Sequence, residues 1–202
     1  MRLHWSSRSP FVRKVMVVAH EAGVAGRIER IPTVVALTRQ DPAVLRRNPL
    51  GKIPTLLLED GQALYDSVVI CEYLDALGSA PRLFPAAGPG RIESLRRHAL
   101  GNGAMDFLLL WRGELGRAAP DPRILEGFEA KLAAVLSALE AEAEELTAGP
   151  LEIGRVAIGC ALSYLDFRWP EAGWRAAHPA LAAWHAGFAT RPSVQATKHI
   201  DA

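Results

Sequence analysis

The chain is poor in cysteine, has no tract of one charge and has no long apolar run, and each shortage removes a class of protein. Its two cysteines, Cys71 and Cys160, both sit inside apolar helical patterns, where a free thiol behaves as a small buried hydrophobe. Neither reads as a nucleophile or a metal ligand, so no metal is expected, and a pair so placed fits a reducing cytoplasm better than a disulfide framework. Lys and Arg number 23 against 22 Asp and Glu, for a net charge of +1, and the two signs are intermixed. That balance offers no electrostatic footprint for nucleic acid or an anionic membrane. No apolar stretch approaches the roughly 18 residues of a membrane span, and Arg2 followed by the polar run Ser6 to Ser9 is unlike a secretory leader. The expected location is therefore the cytoplasm, and the expected partner is a small molecule recognised by local groups.

Half of the 202 residues are apolar, enough for one large or two small cores. Arg2 to Trp5 reads as a short strand, and Ser6-Ser7-Arg8-Ser9-Pro10 as a turn that places Pro10 at the first position of a helix. Phe11, Val12, Val15, Met16, Val18 and Ala19 recur at helical spacing until Gly23. Ile28 to Ile31 reads as a second strand and Pro32 to Arg47 as a loop with one short helix. Leu56 to Leu58 and Ala63 to Tyr65 are two short strands joined by an Asp60-Gly61 turn, and a helix runs from Ser67 to about Leu77. The order β-α-β-α-β-β-α is that of a thioredoxin-like domain. Gly78 to Gly90 has linker composition, and everything beyond it is helical: Arg91 to Gly116, Ile124 to Thr147, an almost wholly apolar Ile153 to Phe167, a helix from Pro179 to Ala189, and a short last one at Pro192. The fold class is α/β followed by all-α, with domains at 1–78 and 91–202 and a linker at 79–90.

The run Asn48-Pro49-Leu50-Gly51-Lys52-Ile53-Pro54-Thr55-Leu56 carries the binding chemistry. Proline lacks an N–H and forces the residue before it into an extended conformation, so Ile53 presents its own N–H and C=O sideways. A short peptide pairs with such a backbone as an added strand; a cis or a trans Ile53-Pro54 bond is compatible with the sequence. Asp66-Ser67 opens a helix with side-chain oxygens and unpaired N–H groups together, which suits an α-amino-acid head group bearing both charges; the same pair also reads as a plain helix cap.

These elements, spaced as they are along the whole chain, resemble the glutathione S-transferase superfamily. The resemblance implies that Pro54 is cis, that Ile53 pairs with the cysteinyl backbone of glutathione and that Asp66-Ser67 holds its γ-glutamyl group; Lys52 reads either as facing its glycyl carboxylate or as a solvated loop lysine. Ser9-Pro10-Phe11 stands where omega-like members carry Cys-Pro-Phe, and Ser6-Ser7-Arg8-Ser9 resembles the serine-rich start of the zeta class. Ser9 or Ser6 is the expected thiolate-stabilising hydroxyl, with Ser7 a competitor, because a hydroxyl beside a helix N-terminus donates to sulfur and lowers its pKa. The implied electrophile site takes Phe11 together with Met105, Trp111 and Arg112, although an apolar stripe such as Met105 to Trp111 also reads as plain core. Where the family begins its central helix with a Ser/Thr-x-x-Asp capping box, this chain has Glu152-Ile153-Gly154-Arg155; Glu152 accepting from the helix N–H groups and pairing with Arg155 is the expected substitute.

The expected activity is transfer of glutathione, as a cosubstrate, to an apolar electrophile by a cytoplasmic homodimer. A non-catalytic module of the same fold is the alternative of a different class. A glutathione-dependent thiol-disulfide reductase ranks below both, since it needs a Cys where Ser9 stands.

Overall fold

Alternating apolar residues bring four short strands into one mixed sheet. In the computed structural model, which describes residues 1–36, 38–79 and 82–201, these are β1 (Arg2–Trp5), β2 (Glu29–Pro32), β3 (Thr55–Leu57) and β4 (Ala63–Leu64), in the spatial order β2-β1-β3-β4. β1 and β2 run parallel, with Leu3 opposite Arg30; β1 and β3 are antiparallel, with Leu3 opposite Leu56. Leu3 and Leu56 are both fully buried, so this register puts the apolar side chains of the two central strands on one face. β3 and β4 form the expected hairpin, closed by Leu58 N–H to Gln62 O at 2.8 Å, with Gly61 at φ 87° in the left-handed turn position that favours glycine.

Helices α1 (Pro10–Glu21), α2 (Pro42–Leu45) and α3 (Ser67–Leu77) complete the first unit, and α1 packs against α3. The helix starts follow from the chain: Pro10 at the first position after Ser9, and Asp41 accepting from Ala43 and Val44 N–H at 2.7 and 3.3 Å. α1 ends at Glu21, two residues before Gly23, which takes φ 73°. After α3 the chain is pinned by Asp75, 5% exposed, whose carboxylate accepts from the N–H groups of Leu83 and Phe84 at 2.8 and 3.2 Å. Leu83 and Phe84 are buried, so part of the Gly78 to Gly90 stretch is packed chain; Ala80 and Pro81, within the expected linker, lie outside the described residues.

The second unit, Ala87–Arg191, holds α4 (Pro89–Leu115), α5 (Pro122–Ala141), α6 (Ala143–Ala148), α7 (Ile153–Arg168), α8 (Trp174–Ala177) and α9 (Pro179–Ala189). Almost every residue of α7 from Ile153 to Leu165 is buried, as its apolar sequence requires. α4 and α7 make the closest helix pair, and Gly101 of α4 is what permits it: a Cβ there would stand 2.6 Å from the backbone carbon of Ala157.

Two boundaries differ from the sequence expectation. The run Ile124 to Thr147 breaks at Glu142, whose carboxylate is drawn to Arg96 Nη2 at 2.6 Å and Arg97 Nε at 3.0 Å on α4. The last helix, α10 (Pro192–Gln195), belongs with the first unit, not with the rest of 91–202. It packs on α1, where Arg13 donates to Val194 O at 3.4 Å and Ser193 Oγ to Glu21 at 2.5 Å. Neither boundary has a local signal, because both are set by side chains distant in sequence.

The altered cap of α7 forms as expected and does more. Glu152 accepts from Gly154 N–H at 2.6 Å and Arg155 N–H at 3.0 Å, and also from Ser94 Oγ of α4. Arg155 Nη1 stands 3.7 Å from Glu152 Oε1, while its guanidinium donates to the carbonyls of Leu146, Pro150 and Glu145 at 3.0, 2.5 and 2.6 Å. One arginine thus satisfies the orphan carbonyls at the end of α6 while pairing with the cap of α7.

His4 of β1 is 5% exposed, with Nδ1 3.0 Å from Thr33 Oγ1. That hydroxyl gives its one proton to Ile31 O at 2.8 Å, so it accepts from the imidazole Nδ1–H. Burial holds the pKa of His4 below its ordinary value; Asp41 opposes the shift and Arg2 adds to it. The unfolded chain therefore takes up this proton first, so its contribution to stability is full above about pH 6.5 and declines as pH falls below that value toward the folded pKa. The expected outcome for His4→Gln is a shallower loss of urea-unfolding stability between about pH 7.5 and 5.5 than in the native chain, with His20, lowered by burial and Arg30, supplying the remaining slope. An unchanged slope would show that His4 is not a source of it.

Candidate functional site

Ile53 lies in the bend between α2 and β3, half-buried, and the Ile53-Pro54 bond is cis. Among the described residues nothing in the protein pairs with the backbone N–H or C=O of Ile53. An unpaired peptide unit beside a strand is the kind of edge that accepts another strand.

The loop is held by a residue to which the sequence assigned no role. Asn48, 1% exposed, donates from Nδ2 to Lys52 O at 3.1 Å and to Thr55 Oγ1 at 2.9 Å, and accepts from Leu50 N–H at 3.0 Å. Thr55 Oγ1 in turn donates to Lys52 O at 2.9 Å. Gly51 takes φ 63° and sits so close to Gln40 that a Cβ would fall 2.6 Å from its Oε1. Lys52 is exposed, its carbonyl engaged in this clamp and its side chain outside it. The available signal was the turn-forming Asn-Pro-x-Gly spacing, which marks a loop but not what the buried amide holds.

Asp66 caps α3, its Oδ1 accepting from Val68 N–H at 2.9 Å, and the Tyr65-Asp66 bond is cis. Ser67 is 2% exposed and its hydroxyl has no partner among the described residues. Asp66 is exposed. A carboxylate and the open N–H end of a helix are therefore side by side, an arrangement able to take an ammonium and a carboxylate together.

The three candidate serines differ in what their hydroxyls are already doing. Ser7 Oγ donates to Ile200 O at 2.7 Å, and Ser7 O is 2.9 Å from His199 Nδ1, so the proton of Ser7 is committed to the C-terminal segment. Ser6 and Ser9 act as acceptors, from Arg8 N–H and Val12 N–H, each at 3.3 Å, and keep their protons to donate. Ser9 is also the cap of α1. Pro10 has no N–H, Val12 N–H goes to Ser9 Oγ and Arg13 N–H to Ser9 O at 3.0 Å, which leaves Phe11 N–H as the open donor of the first turn. Ser9 O–H and Phe11 N–H are thus two donors, two residues apart, at a helix N-terminus. Phe11 itself is half-buried, with Lys14 Nζ 5.7 Å from its ring centre.

In the second unit the expected electrophile wall is mostly packed. Met105 is fully buried. Trp111 is 8% exposed, stacked on Phe128 with ring centres 6.0 Å apart and tilted on Trp169 at 5.2 Å. Its indole is core, the plainer of the two readings, because aromatic neighbours from α5 and the end of α7 cover it. Arg112 is exposed. Cys71 and Cys160 are both buried and outside any disulfide, and no group of three or more His, Cys, Asp or Glu suited to a metal occurs among the described residues.

Two family models match this chain: the glutathione S-transferase N-terminal domain over residues 8–77 and the glutathione S-transferase C-terminal domain over residues 122–187. The chain is 32% identical over 187 residues to an uncharacterized GST-like protein, YibF, of Escherichia coli K12, covering 90% of each. Among solved structures it is similar to a glutathione transferase family member from Pseudomonas fluorescens Pf-5 with bound glutathione, at 41% identity and a TM-score of 0.94 over 98% of both chains. A second structure from that organism, with bound S-(propanoic acid)-glutathione, matches at 41% identity and a TM-score of 0.89, over 99% of this chain and 100% of that one.

Replacing Asn48 by Ala removes three hydrogen bonds at a buried position and leaves Leu50 N–H without its acceptor, while Thr55 Oγ1 keeps Lys52 O. The expected cost is about 2 kcal/mol in chemical denaturation, with faster protease cleavage between residues 48 and 54. An unchanged midpoint would show that the loop holds itself without the amide.

Proposed function

The chain belongs to the glutathione S-transferase family, and on that footing we propose that it binds glutathione and transfers it to an electrophilic carbon. The observation that carries the reading is the unpaired backbone of Ile53 beside its cis bond to Pro54. The cysteinyl unit of the tripeptide pairs there, Asp66 and Ser67 take the charged γ-glutamyl end, and Lys52 faces the glycyl carboxylate. Glutathione in the Pseudomonas fluorescens relative supports the ligand, and S-(propanoic acid)-glutathione in the second structure supports sulfur bearing a carbon substituent.

Ser9 is the proposed thiolate-stabilising group. Its O–H and the N–H of Phe11 both point chemistry of the right sign at a sulfur, and the α1 dipole adds to them. Lowering a thiol from about 8.5 to about 7 raises its ionised fraction at neutral pH from roughly 3% to about half, an activation of order tenfold. The thiolate then attacks the electrophile, a carbon–sulfur bond forms, and the leaving group departs with its electron pair or an addition product is protonated. The rate gain comes from proximity and from sulfur charged at neutral pH. Of the proposed electrophile residues, Phe11 is half-buried in the first unit, and in the second Arg112 is exposed while Met105 and Trp111 are packed. A cytoplasmic homodimer is part of the same proposal, the isologous dimer being the common assembly of such chains.

Calorimetric titration tests the binding step: glutathione binds the native chain, and Ser67→Ala weakens it about tenfold or more, the value of a hydrogen bond to a charged group. Absence of heat at millimolar glutathione would sink the reading. For the serine, Ser9→Ala raises the pKa of bound glutathione, followed by thiolate absorbance, by about one unit and slows conjugation about tenfold, whereas Ser7→Ala leaves the pKa in place. If Ser6→Ala raises the pKa and Ser9→Ala does not, Ser6 is the residue.

A further inference from the structure

The turn that carries the candidate hydroxyls is held more tightly by the far end of the chain than by its own bonds. On one side Trp5 is fixed to the end of β2, its carbonyl accepting from Thr33 N–H at 2.8 Å; on the other Ser9 opens α1. Between them the bonds are long, Arg8 N–H to Ser6 Oγ and Ser9 N–H to Ser6 O both measuring 3.3 Å, at the weak end of the hydrogen-bond range. Two shorter bonds join Ser7 to the C-terminal segment. Ser7 Oγ donates to Ile200 O at 2.7 Å, and Ser7 O lies 2.9 Å from Nδ1 of His199, 192 residues on.

That segment is itself anchored within the first unit. Ser193 and Val194 of α10 are buried, Ser193 Oγ reaches Glu21 and Arg13 reaches Val194 O, both on α1. Thr197 Oγ1 turns back to Ser193 O at 2.9 Å, and His199 follows two residues later, half-buried. A carbonyl carries no proton, so Nδ1 of His199 is the donor. The neutral ring with its proton on Nδ1 and the imidazolium both donate there, so the bond survives titration of the ring. The Ser7 carbonyl belongs to the peptide unit that joins Ser7 to Arg8, midway between Ser6 and Ser9, and holding it fixes the plane from which the turn is built.

We infer that the C-terminal segment is a clasp on the Ser6–Ser9 turn, with His199 as a positioning residue for the hydroxyl that stabilises the thiolate. The inference rests on the reading of glutathione and Ser9 given above. His199 acts through the backbone of Ser7, and a hydroxyl that donates to sulfur loses most of its effect when displaced by about 1 Å. Ser7→Ala leaves the carbonyl bond in place, which agrees with the unchanged thiol pKa expected of that variant.

The test uses the full chain with His199→Ala and His199→Asn, since the asparagine amide places an N–H at nearly the point of Nδ1. Bound glutathione is titrated by thiolate absorbance, and kcat and KM are measured at neutral pH with chlorodinitrobenzene. The expected result is that His199→Ala raises the thiol pKa by about half a unit and lowers kcat about threefold, while KM for glutathione stays within about twofold because Ile53, Asp66 and Ser67 are untouched. His199→Asn keeps the native values. In the ligand-free chain the Arg8 and Ser9 N–H groups exchange with deuterium about tenfold faster in His199→Ala and at the native rate in His199→Asn. Unchanged exchange in His199→Ala would remove the clasp. A thiol pKa that moves in Ser9→Ala but not in His199→Ala, or that His199→Asn does not restore, would remove the positioning role. If the native chain takes up no glutathione, the reading of the site falls and the positioning role with it, while exchange still decides the clasp.

Discussion

The site rests on one buried amide. A loop that offers an unpaired peptide unit to a ligand cannot stabilise itself by pairing that unit, so its shape has to come from elsewhere. Asn48 supplies it: with 1% of its surface exposed, its side chain joins Leu50 N–H, Lys52 O and Thr55 Oγ1. Thr55 then enters β3 opposite His4 of β1, which ties the loop to the centre of the sheet. The backbone of Ile53 stays free because the residues on both sides of it are held.

The same division of labour recurs at the helix starts. Ser9 Oγ and Asp66 Oδ1 each take one N–H of the helix they open, which fixes where the helix begins and leaves a neighbouring donor open. A cap in this chain is thus both a structural bond and the frame of a proposed binding position. Ser7 shows the contrast, since its proton is already given to Ile200 O and it has nothing left to donate.

In the helical unit an inversion of charge order at the start of α7 is accommodated by a larger network. A glutamate caps the helix and an arginine three residues on turns back to the carbonyls at the end of α6. Burial lowers the pKa of Arg155, and Glu152 opposes that shift, so the two residues are held by each other as well as by the backbone. Gly149 and Gly154 leave the space this needs, a Cβ at Gly154 falling 2.5 Å from the Cβ of Arg97.

The order of elements, the hairpin and the helix starts at Pro10 and Ser67 were all legible in the sequence, because each depends on local rules: the fixed φ of proline, the freedom of glycine at Gly61, the period of the apolar residues. The cap at Glu152 was legible for the same reason. Three things were not. The role of Asn48 depends on Thr55 and Lys52 coming back to it, the break at Glu142 on two arginines of another helix, and the placement of α10 on Arg13 and Glu21, far from it in sequence. The sequence by itself determined the order of the elements and where the main helices would start. Only the tertiary structure decided which serine gave its proton away, which aromatic became core and which carbonyls Arg155 took up, because each of those is settled by partners that periodicity and propensity do not specify.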